Sequence, residues 1–154
     1  MFGGGYLEEE LKEYCVSHQI TNVIFKGKVN KKYIPNILSQ GNLNIMTGIS
    51  DRVTEYGLSM NKMFDYMAYG RPIISNIQTK YDILEAHRCG VSIKAGSAQE
   101  MAETIRDFYR MDEKQYTDYC VRAKEAVRQY DFEQLTEELE QILRAEQTGA
   151  EVTK

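Results

Sequence analysis

Short apolar runs alternate along this chain with longer stretches in which apolar residues recur every three or four positions, and the two periods predict strands and helices respectively. Met1-Phe2 runs into the glycine turn Gly3-Gly4-Gly5, like the frayed end of a strand. Tyr6 to His18 reads as an amphipathic helix with Leu7, Leu11, Tyr14 and Cys15 on one face. Glu8 to Glu10 put acids in its first turn, where the helix dipole favours them. Asn22 to Lys26 is an apolar run closed by Gly27, which predicts a buried strand. Asn30 is placed to cap a helix whose buried face is Tyr33, Ile34, Ile37 and Leu38, and Pro35 moves its start to Lys32 or Tyr33. Leu43 to Met46 is the next strand, and Thr47 to Tyr56 a polar connection without periodicity.

A helix follows from about Ser59 to Tyr69, then a strand over Pro72 to Ser75. A helix from about Lys80 to Arg88 and a strand over Val91 to Ile93 continue the rhythm. Ser97 caps a helix with Met101, Ile105 and Phe108 facing inward, and Glu100 stands three residues on, as a capping box requires. Two further helices, about Asp112 to Arg128 and about Phe132 to Glu146, finish the chain. The expected organisation is one domain over 1–146 with a polar, frayed tail over 147–154. Strands alternating with helices predict an α/β fold: a doubly wound parallel sheet with helices on both faces and C-terminal helices added. Such sheets bind ligands beyond the carboxyl ends of their strands. That rim would hold Gly3–Gly5, Gly27–Asn30 and Thr47–Asn61.

The stretch from Glu55 to Ile74 organises the rest. Ser59 can cap the helix start. Gly70 can end it as a left-handed C-cap, and Pro72 blocks its continuation. A loop, a helix N-terminus and a downstream strand form a unit able to hold an anion. Asn61 and Asp65 lie one turn apart and share a face, which permits joint contact with a ligand and equally a mutual hydrogen bond. Lys62 is either a phosphate-facing charge or a surface lysine pairing with Asp65 or Tyr66.

Composition changes this picture little. Apolar residues are 42% of the 154 and charged residues 27%, ordinary for a globular domain. No apolar run approaches a membrane span and no basic segment precedes an apolar one at the start, so a cytoplasmic location is expected. Cys15, Cys89 and Cys120 are too far apart for a metal or disulfide framework and are expected to be reduced structural thiols. Charge is more informative. The net charge is −4, yet residues 26–81 carry eight bases against three acids, while 131–154 carry seven acids against two bases. A positive middle suits a phosphorylated small molecule. Nucleic acid is not expected, because the bases are scattered and not interleaved with aromatics. Met60, Met63 and Met67 are expected in the core, and His18 and His87 lack ligand or triad spacing. Gly3–Gly5 does not meet the G-x-G-x-x-G spacing of dinucleotide sites.

The run Tyr56-Gly57-Leu58-Ser59-Met60-Asn61-Lys62-Met63-Phe64-Asp65-Tyr66-Met67-Ala68-Tyr69-Gly70-Arg71-Pro72-Ile73-Ile74 resembles the donor-binding signature of family 4 glycosyltransferases, in particular bacterial enzymes of capsular and other surface-polysaccharide biosynthesis. Gly3-Gly4-Gly5-Tyr6-Leu7-Glu8 is similar to the family's glycine turn. Phe25-Lys26-Gly27-Lys28-Val29, followed by Tyr33-Ile34-Pro35, is similar to its strand–G–x–V segment. The resemblance spans residues 3 to 145. It implies two facing Rossmann-like domains, of which this chain would be the C-terminal, donor-binding one, without its first strand–helix segment and without the N-terminal acceptor domain.

The implied activity is transfer of a sugar, of hexosyl type, from a nucleotide diphosphate, with a UDP-sugar as the expected donor. The reaction would be retaining, with no metal and no cofactor beyond the donor, and the fragment alone would be inactive. The acceptor would be a lipid-linked glycan and the full enzyme peripheral at the inner face of the plasma membrane. Donor diphosphate and sugar would meet Glu55, Gly57, Leu58, Ser59, Met60, Asn61 and Lys62, the ribose Asp65, and the nucleobase Lys26, Gly27 and Lys28. No catalytic residue is assigned. The family carries two glutamates; the second falls on Asp65, and the first on Gly57, which has no carboxylate, so that Glu55 is the candidate substitute. Gly57 also supports an alternative, a non-catalytic nucleotide-binding or regulatory α/β module.

Overall fold

The computed structural model describes residues 1–48, 54–56 and 60–148. Backbone contacts divide the chain into two compact units, Met1–Gln40 and Gly41–Lys154. The first contains α1 (Glu8–Ser17), a 3-10 turn at Lys31–Tyr33 and α2 (Ile34–Gln40). The strand predicted over Asn22–Lys26 is not formed. Instead, the Met1 ammonium donates to Ile24 O at 2.5 Å, Lys26 N–H to Met1 O at 2.8 Å and Gly3 N–H to Gly27 O at 2.8 Å. These bonds run two extended segments side by side in parallel. The step from Met1–Lys26 to Gly3–Gly27 breaks the even spacing that a parallel ladder needs. Gly27 turns the chain with φ of +66°, a conformation glycine adopts without strain.

The burial expected for α1 is likewise absent. No residue of α1 is buried. Leu7 and Leu11 border a hollow of about 180 Å³ shared with Phe2 and Phe25, and Tyr14 is exposed and stacks on His18 with ring centroids 3.9 Å apart. An apolar helical stripe is buried only when a second layer meets it, and this unit's own residues supply one incompletely. Asn30 does cap, but it caps the 3-10 turn, its Oδ1 accepting from Lys32 N–H at 3.1 Å. Leu38 of α2 is buried and Tyr33 is exposed, a correction to the predicted face. With α2 starting at Ile34, Pro35 sits in its first turn, where a missing N–H costs nothing.

The second unit runs β1 (Asn44–Met46), a 3-10 turn at Thr54–Tyr56, α3 (Asn61–Ala68), β2 (Ile73–Ser75), α4 (Ile83–Ala86), β3 (Gly90–Ser92), α5 (Ala98–Arg110), α6 (Glu113–Val127) and α7 (Phe132–Thr148). Its three strands form a parallel sheet in the order β1-β2-β3, with Asn44 opposite Ile73 and Ile73 opposite Gly90. This is the α/β architecture the alternation predicts. β2 is central and buried along its whole length. Because successive side chains point to opposite faces, it feeds two cores. Ile73 joins Met46, Met63, Met67, Leu84, Cys89, Ala123 and Ala126, so α3 and α6 cover that face. Ile74 joins Ile93 and Phe108, with Met101 and Ile105 of α5 packed against them. Gly90 is required at its position, since a Cβ there would collide with the Ile73 carbonyl oxygen.

Helix ends follow local chemistry. α4 is shorter than the predicted Lys80–Arg88 because Asp82 Oδ1 accepts from Leu84 and Glu85 N–H, at 2.9 and 3.1 Å, and starts the helix there. Ser97 Oγ accepts from Glu100 N–H at 3.2 Å, but the Glu100 carboxylate accepts from Lys94 N–H at 3.1 Å, so the expected capping box closes one turn further out. Asp112 caps α6 through Gln115 N–H at 2.9 Å. α3 ends as predicted. Gly70 has φ of +60°, its N–H donates to Met67 O and Arg71 N–H to Tyr66 O, at 2.8 and 3.4 Å, the paired bonds of a Schellman motif. Arg71 and Tyr116 then tie this corner to the start of β1: Arg71 Nη1 donates to Tyr116 OH at 3.4 Å, and Tyr116 OH to Asn42 O at 2.7 Å. No helix among the described residues is long and apolar enough to cross a membrane.

Candidate functional site

The carboxyl ends of β1, β2 and β3 open onto one rim of the second unit. Asn76 N–H donates to Met46 O at 3.2 Å, and Ile93 N–H to Ser75 O at 2.8 Å, so the strand pairing continues one residue into the rim. Beyond it the chain from Gln78 to Asp82, with Glu85, Ala86 and Ser92, lines an open hollow of about 620 Å³. Lys80 Nζ lies 4.8 Å from the centroid of the exposed Tyr56 ring, a cation–π contact that joins the β2–α4 loop to the 3-10 turn before α3.

The start of α3 is built differently from those of α4, α5 and α6. Its N-cap is Met60, extended at φ −100° and ψ 124°, whose side chain has no oxygen to accept from the first turn. Ser59, the predicted cap, lies outside the described residues, as do Gly57 and Leu58; the helix begins at Asn61. Met63 N–H donates to Met60 O at 2.8 Å. The N–H groups of Asn61 and Lys62 have no partner among the described residues. Met60 is half-buried against the core and Met63 and Met67 are buried, so the methionines are core residues as expected and anchor the helix from below. Asn61, Lys62 and Asp65 are exposed on the other side. Among the described residues no hydrogen bond or ion pair engages their side chains, so neither the Asn61–Asp65 bond nor the Lys62 pair allowed by the spacing is formed. The first turn of α3 holds no acid.

Glu55 falls in the turn Thr54–Tyr56; its side chain is outside the description. Lys26 and Lys28 belong to the first unit, where both are exposed on either side of the left-handed Gly27. His87 Nε2 lies 2.9 Å from Tyr130 OH, a packing contact. Burial pushes the Cys89 thiol up to about 11, so it is held as the neutral, unreactive form. Burial also raises Tyr66, Tyr116 and Tyr130 above the ordinary phenol value. Two rim residues, Asn76 and Lys80, escape the sequence reading. The signal for Asn76 was its place as the first polar residue after a buried strand, where α/β ligands bind.

A family model described as "Glycosyl transferases group 1" matches residues 1–111. The chain belongs to the group 1 glycosyl transferases. The matched span ends at the C-cap of α5 and includes every candidate residue named above, while α6 and α7 lie beyond it. No curated protein sequence matches this glycosyl transferase chain. Among solved structures it is similar to Anabaena Alr3699/HepE in complex with UDP-glucose, with a TM-score of 0.72 at 18% identity. The likeness covers 94% of this chain and 40% of HepE. At that identity it establishes a shared Rossmann-like fold.

Proposed function

We propose that this chain is the nucleotide-sugar-binding half of a retaining, hexosyl-type glycosyltransferase of surface-polysaccharide synthesis, with a UDP-sugar as donor. The observation that carries this reading is the start of α3, where two N–H groups that have no partner among the described residues, an exposed Lys62 and a first turn without an acid meet at the carboxyl rim of the sheet. A diphosphate there accepts from the Asn61 and Lys62 amides and gains about 0.3–1 kcal/mol from the helix dipole at an exposed site. Lys62 adds a mobile positive charge. Asp65, one turn further along the same face, accepts from ribose hydroxyls. Family membership and the likeness to HepE, which holds UDP-glucose, support this choice of ligand.

In this reading the helix start stabilises the departing diphosphate as the glycosidic bond breaks, a preorganised electrostatic contribution. Glu55 is the carboxylate available where Gly57 has none. The nucleobase role of Lys26, Gly27 and Lys28 is a separate proposal on the first unit's own residues. A second domain would hold a lipid-linked acceptor at the inner face of the membrane. The isolated chain then binds nucleotide weakly and transfers nothing.

A thermal-shift series with UDP, GDP and ADP tests this. UDP is expected to stabilise the wild type more than GDP or ADP do, and to stabilise Asp65→Ala less than the wild type. Equal stabilisation of both proteins by UDP removes Asp65 from the ribose. Preference for GDP or ADP overturns the UDP assignment, and turnover of a UDP-sugar by the 154-residue chain contradicts the half-site.

A further inference from the structure

Two described residues of the connection from β1 to α3, Gly48 and Tyr56, meet one loop, the one that follows β2. At the β1 end, Asn76 Oδ1 accepts from Gly48 N–H at 2.9 Å while Asn76 N–H donates to Met46 O. Ile77 closes over the same place: a Cβ on Gly48 would lie 2.7 Å from Ile77 Cδ1, so that side chain would have to shift to admit one. At the 3-10 turn Thr54–Tyr56 the Lys80 ammonium lies over Tyr56. The Asn76 contact is the directional one of the two, a carboxamide oxygen aimed at a backbone N–H, and so defines where the connection leaves the sheet.

We infer that Asn76 is a positioning residue for the α3 site, fixing the exit of β1 at Gly48. The inference rests on the reading that the start of α3 receives the donor diphosphate. Asn76 itself touches no ligand in this account; it acts through the backbone it holds. Its chemistry fits the role, because an amide accepts from Gly48 without placing a negative charge beside an anion site.

Two variants and two readouts test it on the full chain. Asn76→Leu keeps the bulk and loses the acceptor; Asn76→Asp keeps the acceptor. Hydrogen exchange at the Gly48 amide, read by NMR, is expected to quicken roughly tenfold in Asn76→Leu and to stay near wild type in Asn76→Asp. Titration with UDP is expected to show affinity about tenfold weaker for Asn76→Leu, with the thermal midpoint of the free protein reported beside it to separate lost positioning from lost folding. Unchanged Gly48 exchange in Asn76→Leu overturns the inference. So does lost protection with wild-type UDP affinity. If the wild type itself binds no UDP, the donor reading fails, and Gly48 exchange still decides whether Asn76 holds the connection.

Discussion

α1 and α3 both begin without a side-chain cap, and their first turns answer the same physical problem in opposite ways. α1 starts after Leu7 and fills its first turn with Glu8, Glu9 and Glu10, so the positive end of its dipole is met by its own sequence. Lys12 reaches back to Glu9 and Glu8 at 2.7 and 3.0 Å, which raises its own pKa and completes a closed local set of charges. α3 starts after Met60 with Asn61 and Lys62, and its first turn brings no acid to its positive end. The two helices also differ beneath. α3 stands on Met63 and Met67, both buried, whereas no residue of α1 is buried. An open helix end is therefore not in itself a binding site. The α3 start differs in standing on buried side chains and in carrying no acid in its first turn.

The largest effect that could break this comparison is on the seats. Met67→Ala is expected to lower unfolding stability by about 2–5 kcal/mol, the range for emptying a buried site, while Leu11→Ala in α1 costs under about 1 kcal/mol because its side chain is already half in water. Denaturant titrations of the two variants measure this; equal losses would mean that α1 is seated as firmly as α3. Next in size, Ser97→Ala removes a real cap from α5 and is expected to cost about 1 kcal/mol while leaving UDP affinity unchanged, since that helix end is closed by its own side chains. Weaker UDP binding in Ser97→Ala would move the ligand away from α3.

A smaller effect reads the same difference through the thiols. Cys15 on α1 is half-buried and Cys89, in the core under α3, is fully buried. Iodoacetamide is expected to label Cys15 in the native protein and to spare Cys89 until denaturant is added, as peptide mass spectrometry would show. Cys89 also gives a pH signature. Its folded pKa of about 11 lies above the ordinary 9.0, so the unfolded chain loses this proton first, and stability is full below about pH 9 and falls as pH rises through 11. Thermal midpoints from pH 8 to 11 should decline in the wild type, with a shallower decline in Cys89→Ala.

Most of the second unit was legible because its elements are specified locally. Ser97, Asp112, Gly70 and Pro72 act on backbone groups within a few residues, and the alternation through Ile73 and Ile74 marks a strand buried on both sides. The first unit was less legible. Val23-Ile24-Phe25 has the composition of a strand, but strand formation depends on neighbours that no local pattern records. α1 shows the same limit for helices: Leu7, Leu11 and Tyr14 recur at the right spacing, yet burial needs a facing layer. At the candidate site, Asn61, Lys62 and Asp65 were named through the resemblance to the family signature, and helical spacing added only which of them share a face. That their alternative local pairings stay unformed is a matter of side-chain geometry. Asn76 was missed because its partner, Gly48, lies 28 residues away.

The most direct test of the account is calorimetric titration of UDP against uridine, for the wild type and Lys62→Glu. That substitution gives α3 the kind of first-turn acid that α1 already has. The wild type is expected to bind UDP more tightly than uridine, and Lys62→Glu to lose about tenfold of UDP affinity, equal to about 1.4 kcal/mol, with uridine affinity unchanged. A UDP advantage that survives Lys62→Glu intact would contradict the claim that the start of α3 receives the diphosphate.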